Sequence, residues 1–358
     1  MATETYQTNG TISDGATDFM RKYRIAIYQH AIDANGVKYP NANATVQQFS
    51  QADTSDIILD VSDLHCVFDI NRCAMYYPNT ATVTIYNLTA DTESALMYEG
   101  YRLQVYAGYE ESSTDSNYGL IFDGDILMCS RQKTDGVDYT LTILAVDGGL
   151  LYTEGYANFT VNRGATARDV ISAITKKSAV SVSTAHISNV VDSLQFSTSH
   201  AVHGLVKNEL DDICKSLNAT WYIDNGQLNI IQYAQDVSYL PNGSQAIVLD
   251  VAHGLLGNPA QVNYGVNAKC LLNCQIVPYG MISLPPQLIT RQLVQVGTYS
   301  AGPGYVYDAI DPNGLYRVVS VNHHGDTREN DWYSAVSAIS QSNAAIPSVL
   351  ASFANSAN

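Results

Sequence analysis

Seven short segments between residues 23 and 145 read as strands, the first of them, Tyr23–Tyr28, in an alternating pattern, and this series constrains the fold more than any other feature of the chain. They are Tyr23–Tyr28, Ile57–Val61, Leu64–Ile70, Thr82–Tyr86, Tyr101–Ala107, Gly119–Met128 and Tyr139–Ala145. Successive side chains of a strand point to opposite faces, so the alternating segment is built to bury one face. Turn signals such as Tyr77-Pro78-Asn79 and Thr134-Asp135-Gly136 separate them. One short helix interrupts the series over Thr89–Met97, with Thr89 or Asp91 as N-cap and Glu93 in the first turn. Many strands with one short helix imply a sandwich or barrel.

The period changes after residue 155. Ala167, Val170, Ile171 and Ile174 share one face of a helix capped by Thr166, and a second helix is expected from about Val202 to Leu217. Asn225-Gly226, inside Trp221–Ile230, is the strongest short hairpin signal. Strand patterns return from about residue 246, over Ile247–Val251, Val262–Leu272, Leu288–Val294, Gly314–Val321 and Trp332–Ser340, punctuated by Gly254–Pro259 and Pro285-Pro286. The expected organisation is a polar arm (1–20), a first β domain (21–155), a small α+β insert (156–245), a second β domain (246–341) and a polar tail (342–358). The fold class is mainly β with an α+β insert.

Charge narrows the function. The formal net charge of −16 argues against binding nucleic acid through its phosphates, which takes Lys and Arg. An acidic balance suits a conduit through which a duplex slides, although the plainer reading is that it keeps the protein soluble. The six cysteines are scattered, so free thiols are expected; Cys270 and Cys274, in a strand-type segment, are too far apart for a bridge. Met1–Gly15 is polar and lacks the apolar stretch of a secretory signal, and no run is apolar enough to span a bilayer, so synthesis in the cytoplasm and no membrane insertion are expected.

No catalytic, cofactor or metal site is expected. His323-His324-Gly325-Asp326 with Asp331 has metal-ligand residue types, but adjacent strand residues face opposite ways, and Gly325-Asp326-Thr327 reads as a turn. His200 and His203 fall near a helix start without the H-E-x-x-H pattern of a zinc hydrolase. Asp123 and Asp125 share a strand face, directed to solvent or to a channel as fixed negative charge, while Asp211 and Asp212 read as a solvated helix face. Gly302-Pro303-Gly304 reads as a loop rather than a phosphate cradle. The tyrosines at 76, 77, 98, 101, 106 and 109 fit sheet and interface packing better than carbohydrate or base stacking.

The wording of several segments goes further. Asn79–Leu88, Gly100–Tyr109 and Ile121–Ile126 in the first domain resemble the tube-like domain of phage tail baseplate hubs, as found in contractile-tailed phages. Gly254–Pro259, Leu271-Leu272-Asn273, Gly314–Val318, His323–Arg328 and Asp331-Trp332-Tyr333 are similar to that family in the same order. The resemblance covers roughly residues 20 to 340. It implies two tube-like β-barrel or sandwich domains per chain and a homotrimer forming a six-membered pseudo-symmetric ring. Such a ring joins the hexameric tail tube to the trimeric central spike, contacts tape measure and other baseplate proteins, and lines the DNA exit channel of the virion. A duplicated domain in a trimer resolves the mismatch between six-fold and three-fold neighbours. On this reading Asp123 and Asp125 are candidate lumen-facing acidic residues. The alternatives are a tail-tube terminator or distal tail ring protein, with one tube-like domain per chain, and a cell-wall-binding or hydrolysing tail module.

Overall fold

The computed structural model describes residues 20–29, 57–110, 117–134, 136, 138–177, 183–232, 236, 238–241, 246–262, 265–290, 311 and 313–340. The chain is mainly β with an α+β insert. In the first part, strands β1 (Met20–Gln29), β2 (Ile57–Val61), β3 (Cys66–Cys73) and β4 (Thr80–Tyr86) precede helix α1 (Ala90–Glu99). Strands β5 (Gly100–Glu110), β6 (Tyr118–Thr134) and β7 (Asp138–Val146) follow, then a short helix α2 (Gly149–Glu154). The Thr89 hydroxyl accepts from Thr92 N and caps α1, as its sequence predicts.

The insert comprises β8 (Tyr156–Val161), α3 (Ala167–Lys177), β9 (Ser183–Ile187), β10 (His200–Leu205), α4 (Val206–Ser216), β11 (Thr220–Asp224) and β12 (Gln227–Ile231). Asn225 and Gly226 have φ of 48° and 74°, the two left-handed residues that a tight hairpin turn between β11 and β12 requires. Thr166 and Asp169 cap α3 reciprocally: the Asp169 carboxylate accepts from Thr166 N, and Asp169 N donates to the Thr166 hydroxyl. The helix expected from Val202 begins only at Val206. Val202 is drawn into β10, whose antiparallel partner is β8, so His200 and His203 lie on a strand rather than on a helix.

The last part contains β13 (Ile247–Val248), β14 (Leu255–Val262), β15 (Gly265–Leu271), β16 (Met281–Ser283), β17 (Leu315–Asp326) and β18 (Trp332–Ser340). Two expectations are corrected here. Gly254–Pro259 is no mere interruption: Leu255–Val262 is a strand, and its register against β15 shifts between Leu256 and Ala260, where Gly257 has φ of 71°. Leu288 closes a 3-10 turn begun at Pro286, and Thr290 bridges Ala260. The remainder of the strand expected to Val294, the 1–19 arm, Gly302-Pro303-Gly304 and the 342–358 tail lie outside the described residues.

Three principal cores result. One gathers Ile25, Phe68, Val83, Leu103, Phe122 and Ile143; a second gathers Ile171, Leu210, Trp221 and Ile230; a third gathers Val266, Ile282, Val318 and Val336. The first and third lie under one continuous sheet in the order β14-β15-β18-β17-β3-β4-β7-β6-β5-β1-β2. The joint is the antiparallel pair β17–β3, running from Ser320↔Cys73 to Asp326↔Val67. Phe68 packs edge-on against Trp332 of β18, with ring centroids 5.2 Å apart, so the two cores also meet beneath the joint.

A polar set docks the insert. Arg72, buried on β3, makes a two-point ion pair with Asp224 at the hairpin turn (3.0 and 2.8 Å). Asn79 Nδ2 donates to Ile223 O, and Gly226 N donates to the buried Asp147 carboxyl at 2.8 Å. Burial, together with Asp224 and Asp123 nearby, pushes the Asp147 carboxyl well above the usual range. On the other flank, Tyr239 stacks on His186 of β9, and Arg317 lies over the Tyr279 ring and donates to Tyr239 O.

Candidate functional site

Strand alternation gives eight strands of the joined sheet, from β14 to β6, one face over the cores and one open face. On the open face, the cross-strand registers align Leu256 with Lys269, Lys269 with Ala335, Ala335 with Asn322, and Asn322 with Asn71. Beyond the joint, Asp69 stands beside Thr82, Thr82 beside Leu144, and Leu144 beside Met128. The alternate residues, among them Phe68, Ile70, Val83, Ile143, Val321 and Val336, are buried. The face is therefore a carpet of amides and hydroxyls with few charges.

Its centre, over the joint, is a hydrogen-bonded set. Asn322 Nδ2 donates to Asp69 Oδ1 (2.9 Å) and to Asn71 Oδ1 (2.8 Å), Asn71 Nδ2 donates to Asp69 Oδ1 (3.0 Å), and His324 Nδ1 stands 3.3 Å from Asp69 Oδ2. Thr84 and Thr142 pair their hydroxyls at 3.1 Å. Lys269 Nζ lies 3.4 Å from the centroid of the Tyr333 ring, which ties down one of the face's cations. A groove of about 450 Å³ runs here, bordered by Asn71, Asn258, Asn267, Lys269, Asn322 and Ser337.

The acidic pair expected to point outward does not. Asp123 and Asp125 do share one side of β6, but that side is internal: they are 1% and 7% exposed. Both pair with the buried Arg102 of β5, Asp123 with Nε at 2.6 Å and Asp125 with Nη1 at 3.3 Å. Two buried carboxylates need a cation, and Arg102 offsets part of their charge inside the fold.

Asp212 is exposed on its helix, while Asp211 is half-buried and its carboxylate accepts from Trp221 Nε1 at 2.7 Å. His200 meets Glu209 at 2.6 Å under the Phe196 ring, while His203 meets the Tyr156 hydroxyl. His323 and His324 face opposite sides: His323 is in the core beside the Ser334 hydroxyl (2.8 Å), His324 on the open face. The turn expected at Gly325–Thr327 starts later, since β17 continues to Asp326, whose carboxylate accepts from Arg328 N and Glu329 N. All six cysteines are free. Among the tyrosines, Tyr101 and Tyr109 are buried and Tyr76 meets Tyr77 hydroxyl to hydroxyl, which are packing roles.

Burial holds the His323 imidazole down, to about 3 from an ordinary 6.5. The unfolded chain therefore takes up a proton that the native one refuses. Stability should be complete above about pH 6.5 and fall progressively toward pH 3. In urea unfolding at stepped pH, His323→Gln is expected to flatten that decline; an unchanged slope would show that His323 does not cause it.

Residues 45–288 match the profile of the baseplate hub gp41 family, over more than half of the chain. The chain belongs to the baseplate hub gp41 family. The chain is also similar in fold to solved tail proteins. The 43 kDa tail protein of Shewanella oneidensis prophage MuSo2 is 7% identical, with a TM-score of 0.49 over 79% of this chain and 94% of that one. A tail protein from Neisseria meningitidis MC58 is 8% identical, with a TM-score of 0.49 over 92% and 98%. The c3393 protein of E. coli, a type VI secretion component, is 9% identical, with a TM-score of 0.44 over 77% and 73%. No curated protein matches the sequence. The family is that of a structural tail component.

Proposed function

We propose that the hub is a non-enzymatic homotrimer in which each chain supplies two tube-like domains, 21–155 and 246–341, on either side of the insert. Three chains then give a ring of six similar units that meets the tail tube protein on one side and the central spike on the other. Tape measure and other baseplate proteins are its further neighbours, after assembly in the host cytoplasm and in the finished virion. The observation that carries this reading is the β17–β3 pairing, which fuses the two β units into one sheet with a single open face.

On this reading the open face borders the passage for DNA. Its amides and hydroxyls offer a duplex few cations to grip, and phosphate contacts from Lys and Arg are what make proteins hold DNA. Slipperiness then comes from near-neutral polar groups rather than from Asp123 and Asp125, which are buried against Arg102.

Imaging of the assembled particle tests the assignment. Three copies on the tail axis, between tube and spike, are expected, with Asn71 and Asn322 toward the lumen. An off-axis position, or six copies with one β unit each in the ring, would overturn it.

A further inference from the structure

Where the β11–β12 hairpin enters the first β unit, buried acids outnumber bases. Asp123, Asp125, Asp147 and Asp224 gather there around two guanidiniums, those of Arg72 and Arg102. Arg72 is engaged by Asp224, and Arg102 by Asp123 and Asp125. Asp147 is left without a cation in ion-pair reach among the described residues, although it is only 1% exposed. Its carboxyl accepts from Gly226 N at 2.8 Å, and its own amide donates to Asn79 O at 2.9 Å.

The hairpin is seated directly on this residue. Gly148, next in the chain, has φ of 65°, and a Cβ there would stand 2.6 Å from the Ile223 side chain. A carboxylate sealed beneath the hairpin would hold an uncompensated charge out of water, and one amide hydrogen bond does not offset that cost. A neutral carboxyl avoids the cost and still accepts from Gly226 N. The titratable groups around Asp147 act in the same sense. Burial first, then Asp224 from the hairpin and Asp123 from β6, oppose its ionisation; Gly226 N and Arg102 of β5 favour it and are outweighed. From α2, Tyr152 faces it as a neutral phenol, raised by its own burial first and then by Asp147. His323 of β17 lies behind Arg72, held neutral by its burial.

We propose that Asp147 is a proton-operated latch: the docked insert holds its carboxyl neutral, and loss of that proton frees the β11–β12 hairpin from the first β unit. Undocked, Asp147 meets water and titrates in the ordinary carboxylate range, so docking takes up a proton. Docking is therefore strongest at acid pH, where both forms are protonated. It weakens as pH rises from that range through the raised docked value, by up to about tenfold per pH unit for one proton, and then levels off. His323 acts in the opposite sense, because its contribution grows as pH rises toward 6.5. Global stability mixes the two, and only a local measurement at the hairpin separates them. The latch belongs to a single chain and does not depend on how chains assemble.

Hydrogen exchange of the full chain at stepped pH tests the latch, expressed as protection factors so that the intrinsic pH dependence of exchange drops out. As pH rises from about 4, amides of residues 220–231 should lose protection relative to those of β17 and β18, by up to about tenfold per unit. Asp147→Asn keeps an acceptor for Gly226 N and carries no charge, so its hairpin protection should stay flat over the same range. In the wild-type chain labelled with carbon-13 at its aspartate carboxyls, one resonance should titrate well above the ordinary 3.8 and be missing from the Asp147→Asn spectrum. The labelled wild type decides the matter even if the variant does not fold. Hairpin protection that does not change with pH relative to β17, a variant that keeps the wild-type slope, or aspartates that all titrate in the ordinary range would each overturn the latch.

Discussion

Arg72→Ala is expected to destabilise the protein by about 3–5 kcal/mol, the usual cost of removing one partner of a buried ion pair. The Arg72 side chain is 1% exposed and that of Asp224 17%, so little water stands ready to solvate the carboxylate left behind. Asp224 sits at the β11–β12 turn, where Asn79 also bonds to it and to Ile223 O, and where Gly226 N bonds Asp147. Losing the guanidinium would leave Asp224 and Asp147 as neighbouring acids without it. The loss should first appear where the insert meets the β3–β4 end of the first core. Hydrogen exchange is the decisive measurement: amides of residues 220–231 should exchange faster than those of β17 and β18. Asp224→Asn should recover part of the loss in the Arg72→Ala background, because it removes the stranded charge. Uniform acceleration across the chain, or no recovery, would show that Arg72 acts otherwise than through this docking.

Much of the fold can be read locally. Ile57–Val61 and Trp332–Ser340 are strands with the bounds expected from their residues, and Asn225-Gly226 forms the expected hairpin turn. These depend on period and turn chemistry, which neighbouring residues carry. The joint does not, because it pairs residues 67–73 with 320–326, separated by some 250 positions, and no period reports such a distance. The candidate surface inherits that limit. Alternation shows that Asn71 and Asn322 each lie on the polar side of a strand, but only the joint places them 2.8 Å apart. Parity also fails for Asp123 and Asp125. It shows that they share a side, and that side is the inner one because the β5–β6 register sets Arg102 opposite Asp125. Val202 and Val206 fit a helix or a strand equally well, and the strand prevails where β8 offers a partner. The β14 strand is hidden by Gly257 and Pro259, which read as a loop until the register shift that accommodates them is seen.

Phe68→Ala should cost about 3–5 kcal/mol as well, the range for truncating a fully buried aromatic ring. Its effect should reach both β units. Phe68 is on β3 within the first core, yet its ring lies against Trp332 of β18 and over Gly325 of β17. A Cβ on Gly325 would stand 2.3 Å from the Phe68 ring, so the absence of a side chain there is what lets the ring lie across the joint. Truncation leaves a cavity on the seam between the units, and the β17–β3 ladder loses the packing beneath it. A double-mutant cycle with Trp332→Leu isolates the contact, with a coupling of about 0.5–1.5 kcal/mol expected for a T-shaped pair. If the seam holds the units together, Phe68→Ala should speed exchange in β3 and β17 alike. Exchange rising in the first unit alone would mean that the joint is held by its backbone ladder and not by the ring. That outcome would remove the seam from the account of how one sheet spans two units.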